Sequence, residues 1–139
     1  MKILLAVDGS EHSCRAIEFV ANAGWLQAGS ELVVFTAVPP LPRRIENLAD
    51  PELVQRNYFT EAEEILAPVR KRLATLGMPV RYDWAVGPAA QAIVQEAEKG
   101  PCYLIVMGSH GQGALSNLVT GSVATRVLAL CAVPVLLVR

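Results

Sequence analysis

Leu104-Ile105-Val106-Met107-Gly108-Ser109-His110-Gly111, followed after nine residues by Gly121-Ser122, is the stretch that decides the fold. An apolar run of strand length breaks into glycines, and a Gly-Ser pair then opens what reads as the last helix. Glycine lets the backbone approach another group closely. A helix start offers unpaired N–H groups at the positive end of its dipole, and Ser122 has the chemistry of an N-cap. The arrangement suits an anion, phosphate above all.

Outward from this stretch, apolar runs alternate with helical patterns along the whole chain. Lys2–Val7 is a nearly continuous apolar run that stops at Asp8-Gly9-Ser10, a buried strand entering a turn. A helix is expected from Ser10 or Ser13 to Gln27, with Ala16, Ile17, Val20, Ala21 and Gly24 at helical spacing and Gly29 as its stop. Glu31–Val38 reads as the second strand, closed by Pro39-Pro40. Leu41–Asp50, with Pro42 and Arg43-Arg44, reads as the one long loop and a candidate flap. Pro51–Leu76 is expected to be an amphipathic helix that Pro68 kinks or interrupts, with Arg70-Lys71-Arg72 at its dipole-favoured end.

Val80–Val86 then reads as a strand, Ala89 to about Lys99 as a helix, and Cys102–Met107 as the fourth strand. Ser122–Cys131 follows as a helix and Val133–Val138 as the fifth strand. Such alternation implies a parallel sheet with helices on both faces, a single-domain α/β fold over residues 1–139. In open sheets of this kind ligands sit outside the carboxyl ends of the strands, where strand order reverses. With the order 3-2-1-4-5, the turns after the first and fourth strands are neighbours at that point.

Bulk composition excludes several classes. Of 139 residues 53% are hydrophobic and 18% charged, enough apolar surface for a real core in one domain. No apolar run approaches the roughly 20 residues that cross a bilayer, so no membrane association is expected. The opening run meets Asp8 too early for a signal peptide, and a cytoplasmic location is the default expectation. A net charge of −1 argues against a nucleic-acid partner. Cys14, Cys102 and Cys131 have neither disulfide nor CxxC spacing, so they read as packing residues, and no metal site is expected.

The glycine pattern is neither of the common phosphate loops. No glycine precedes a lysine, which removes the Walker A loop, and Ser116 stands where a third glycine would complete a dinucleotide fingerprint begun by Gly111-Gln112-Gly113. The spacing Gly108-x-x-Gly111, nine residues, Gly121-Ser122 instead resembles the G-2x-G-9x-G-(S/T) signature of ATP-binding universal stress proteins. Ile3–Ser10 resembles that family's opening strand, Val86-Gly87-Pro88-Ala89 with Ile93 its turn into the third helix, and Val133–Val138 its last strand.

The resemblance implies a five-stranded parallel sheet ordered 3-2-1-4-5, the adenine nucleotide alpha hydrolase-like fold. It also implies roles. Asp8 meets the ribose; Ala6 and Val7 line the base pocket; backbone at Ala37 or Val38 meets the adenine edge; Met107 and Gly108 pack on the ribose. Gly111, Gly121, Ser122 and Val123 cradle phosphates, with His110 as a further candidate contact. The implied cofactor is ATP, with or without Mg²⁺, and AMP or another adenine nucleotide remains open. Asp8 has a second reading as a cap for the first helix together with Ser10, and Arg126 reads as a surface residue.

No nucleophile sits beside a general base in the sequence, so no catalytic residue is named. Three readings stay open: a nucleotide-responsive regulator with a downstream protein partner, a slow ATPase or autophosphorylating phosphotransferase, and a nucleotide-free interaction module. Gly121→Val is expected to abolish binding and spare the fold. Val133–Val138, an apolar edge strand flanked only by Arg139, is expected to pair with a second copy as a homodimer, as the resembling family does.

Overall fold

Five short runs rich in Val, Ile and Leu cannot bury both faces alone, and they do so by pairing side by side. The computed structural model describes residues 1–26, 28–111 and 120–139. Its strands are β1 (Lys2–Ala6), β2 (Glu31–Val38), β3 (Val80–Val86), β4 (Leu104–Gly108) and β5 (Val135–Val138). They form one sheet in the order β3-β2-β1-β4-β5, every pair parallel. The order is the one expected. Ala6 lies beside Phe35 on one side and Met107 on the other, and Gly108 lies beside Val138.

Helices cover both faces because alternate residues of each strand point opposite ways. On one face α1 (Glu11–Ala21) and α3 (Pro51–Leu73) bring Ala16, Ile17, Val20, Leu66, Val69 and Leu73 onto Ile3, Leu5 and Val34. On the other, α4 (Ala89–Ala97) and α5 (Ser122–Leu130) bring Ile93, Val94, Ala124 and Val127 onto Leu4, Val33, Phe35 and Ile105. The central strands therefore read as unbroken apolar runs rather than as alternation.

Boundaries differ from the sequence reading in instructive ways. The helix α1 ends at Ala21, not near residue 27. The Ala23 N–H bonds back to Val20, and the Asn22 side-chain amide also takes the Glu18 carbonyl, so the last turn tightens and stops. The expected end, Gln27, lies outside the described residues, as do 112–119, which include Gly113 and Ser116.

The segment read as one loop contains a six-residue helix, α2 (Arg43–Leu48), started at Pro42, whose carbonyl accepts from Ile45 and Glu46. None of its residues is buried, so it left no apolar periodicity to read. Its approach is pinned where the Leu41 N–H donates to the Tyr58 hydroxyl of α3 at 2.9 Å. The helix α3 runs through Pro68, which lies on the exposed side where a carbonyl lacking its N–H partner meets water.

Candidate functional site

The turn after β1 is built from three short polar side chains that satisfy one another. The Ser10 N–H donates to Asp8 Oδ1 at 2.9 Å, the Ser13 N–H to Ser10 Oγ at 3.2 Å, and the Asp8 N–H to Ser13 Oγ at 3.1 Å. Gly9 between them takes φ +80°, a conformation that a side chain would strain. Ser10 is therefore the N-cap of α1, and Asp8 folds the turn that delivers it. The two readings of Asp8 are compatible. One oxygen serves the turn, while the other lies 2.7 Å from where a Cβ on Gly111 would stand, so the carboxylate faces the loop after β4.

That loop, residues 108–111, packs closely against α1 at Gly108 and against the start of α5. A Cβ on Gly108 would lie 2.7 Å from the His12 carbonyl carbon and 2.9 Å from its oxygen, and one on Gly121 would lie 3.0 Å from His110 Cα and 3.1 Å from the Ser109 oxygen. Glycine at 108 is thus required by chain against chain, while a side chain at 121 would press its neighbours by a few tenths of an ångström. Neither takes a positive φ. The Gly121 N–H donates to the Ser109 carbonyl at 2.6 Å, and the Ser109 N–H donates to Val138 at 2.8 Å, which ties the loop to α5 and β5.

The two turns border a cleft at the carboxyl ends of β1 and β4. Its apolar floor comes from the α4/α5 face of the sheet, with Phe35, Met107, Ile93 and Ala124 below and the small side chains of Ala6, Ala37 and Ala89 leaving room for a flat group. Asp8, Ser13, His110 and Gly111 supply the polar side.

Of the residues picked out from sequence, Ala6, Val7, Asp8, Ala37, Met107, Gly108, His110, Gly111 and Val123 border this cleft. Val38 does not: alternation turns its side chain to the opposite face, among Val54, Tyr58 and Ala62, and its carbonyl accepts the Gly87 N–H. Gly121 is buried beneath the loop. Ser122 borders an adjoining groove with Val123, Pro88 and Arg126, and Arg126 is exposed there, as its reading as a surface residue has it. Gly121, not Ser122, is the N-cap of α5, and no side chain caps that helix. Ser122, exposed at the first turn of α5, stands beside the backbone N–H groups that a helix start directs outward.

Sequence reasoning missed Ser13, Phe35, Ala89, Ile93 and Ala124 as cleft residues. Ser13 had a findable signal: a serine three residues after an N-cap serine, on the helix face that carries Ala16 and Ile17 inward. Among the described residues no group of three or more His, Cys, Asp or Glu is placed to hold a metal ion, and no helix is long and apolar enough to cross a membrane.

Comparison with known proteins agrees with the fold. The model of the universal stress protein family matches residues 1–139. The chain is 39% identical over 141 residues to the Thermus aquaticus universal stress protein of the QAH/OAS sulfhydrylase 3′ region, covering 99% of this chain and 97% of that one. It superposes on the solved structure of MJ0577, a protein of Methanocaldococcus jannaschii, with TM-score 0.83 and 29% identity, over 99% of this chain and 94% of the other. The Archaeoglobus fulgidus universal stress protein, solved in complex with dAMP, gives TM-score 0.71 at 24% identity over 100% and 98% of the two chains, a likeness of fold.

Proposed function

This chain belongs to the universal stress protein family, and from that premise we propose that its cleft binds an adenine nucleotide, ATP with or without Mg²⁺ in the first place. The observation that carries the proposal is the convergence of three elements on one apolar cleft: the Asp8 turn, the 108–111 loop and the start of α5 at Val123 and Ala124. An adenine ring fits the apolar part between Ala6, Ala37 and Met107. The Asp8 carboxylate suits ribose hydroxyls, as acidic residues do in other nucleotide folds. The Gly111 region and the N–H groups of Ser122 and Val123, with the Ser122 hydroxyl, suit the phosphates. A structural relative that carries dAMP makes the ligand class a natural one to test first.

The domain, residues 1–139, acts in this reading as a nucleotide-responsive regulator that pairs through β5 and passes the bound state to a protein partner in the cytoplasm. Calorimetric titration with ATP, AMP and adenosine is the direct test. Saturable binding at or below millimolar ligand is expected, and a melting curve in ATP at about 100 times its Kd should show about 2.7 kcal/mol of added stability. Absence of any heat or melting shift with all three ligands would overturn the proposal. Gly121→Val is a poor control, since its side chain would press on the backbone of Ser109 and His110.

A further inference from the structure

Among the described residues the edge strand β3 is paired on one side only, with β2, so half of its backbone groups face outward. The register tells which half. The Leu32 N–H donates to the Pro79 carbonyl and the Gly87 N–H to the Val38 carbonyl, which assigns the odd-numbered residues to β2. In a parallel ladder a residue spends its N–H and its carbonyl on the same neighbour. Tyr82, Trp84 and Val86 therefore direct theirs away from the sheet, and such a row is a template for another strand. The margin beside it is apolar: Phe59, Trp84 and Pro51 line a groove there, and Phe59 and Val86 are 54% and 38% exposed.

The middle position of that row is taken. The Trp84 N–H donates to Oδ1 of the preceding residue, Asp83, at 2.8 Å. The other carboxylate oxygen accepts from Arg81 at 3.3 Å, and the same guanidinium reaches Glu31 of β2 and the buried Glu96 of α4. Asp83 is thus held along the strand by a group anchored to two further elements. We propose that Asp83, oriented by Arg81, closes the β3 edge to a second copy of this chain. An arriving strand needs the Trp84 N–H for its own carbonyl, and would bring that carbonyl oxygen against a carboxylate. The closure matters because the opposite edge, β5, carries no charge. Placing β5 of one copy on β3 of the next is a head-to-tail contact, and such contacts grow into filaments when they do not close into a ring.

Hydrogen–deuterium exchange of the wild-type protein, read by NMR, comes first and needs no variant. The Trp84 amide should be protected although it points away from the sheet, while those of Tyr82 and Val86 exchange rapidly. Sedimentation velocity from micromolar to millimolar concentration then compares wild type with Asp83→Ala, Asp83→Asn and Asp83→Ala/Val86→Lys, each checked for a cooperative unfolding transition. Wild type should reach a fixed limiting mass. Asp83→Ala should grow severalfold past that limit and lose the protection of the Trp84 amide. Asp83→Asn keeps an acceptor oxygen in place and should match wild type in both readings. Val86→Lys puts a charge on the opened edge and should return the double variant to the wild-type limit.

A Trp84 amide that exchanges in wild type as fast as those of Tyr82 and Val86 would overturn the proposal, and this measurement decides even where Asp83→Ala fails to fold. A folded Asp83→Ala that stays at the wild-type mass would overturn it too. So would equal growth of Asp83→Asn, or growth that persists with Val86→Lys, since the contact would then lie elsewhere than at the opened edge.

Discussion

At the scale of single residues, the glycines of the 108–111 loop separate a demand of the fold from a demand of the site. A methyl at 108 meets the backbone of His12, which cannot yield without moving α1, whereas a methyl at 111 meets a side-chain atom, Asp8 Oδ2, and not the oxygen that holds the Ser10 N–H. Gly108→Ala is therefore expected to lower stability by about 1–3 kcal/mol, the usual cost of overpacking, in a chemical denaturation curve. Gly111→Ala should leave that curve close to wild type and weaken nucleotide binding instead, because the displaced carboxylate is the one proposed for the ribose. Equal effects of both on stability would refute the distinction. The spacing of these glycines was legible in the sequence, but which atoms they make room for was not, since His12 and Asp8 lie about a hundred residues away in the chain.

Each secondary-structure element shows where local pattern suffices and where packing intervenes. Thr36 sits in β2, 1% exposed, and its hydroxyl has no hydrogen-bond partner among the described residues. Thr36→Val replaces that hydroxyl with a methyl of the same shape and is expected to raise stability by about 1 kcal/mol, read as a higher denaturation midpoint; a lower midpoint would mean that the hydroxyl is satisfied. The cysteines divide by element in the same manner. Burial at the foot of β4 pushes the Cys102 thiol above its ordinary range, while Cys14 is exposed on α1. Thiolate is the reacting species, so iodoacetamide near pH 8 should label Cys14 well before Cys102, as mass spectrometry of timed digests would show. The long helix α3 was legible from its apolar spacing, but α2 was not, because it buries nothing and so carries no periodic signal.

For the whole molecule, the two edges of the sheet differ in kind. The edge strand β3 carries Arg81 and Asp83, and Arg81 also pairs with Glu31 and with Glu96, which is 1% exposed and paired as well with Lys99. The edge strand β5 is Val-Leu-Leu-Val, half-buried throughout and without charge. An uncharged edge invites pairing with another strand. Sedimentation equilibrium at micromolar concentration is expected to show a dimer, and a monomer alone under those conditions would remove that part of the proposal. The edge strand also meets the candidate site, since Val138 accepts the Ser109 N–H. The five strands, their alternation with helices and the turns after β1 and β4 followed from the residues themselves, because a buried parallel strand must be apolar along its length and a tight turn must carry glycine or a short polar residue. The strand order and most of the cleft lining came from the family resemblance that the glycine spacing carries. The tertiary structure alone decided that Gly121 packs beneath the 108–111 loop and that His12, Ser109 and His110 meet at one corner of the cleft. Those facts depend on which atoms from distant segments approach within a few ångströms, and no pattern along one chain segment encodes that distance.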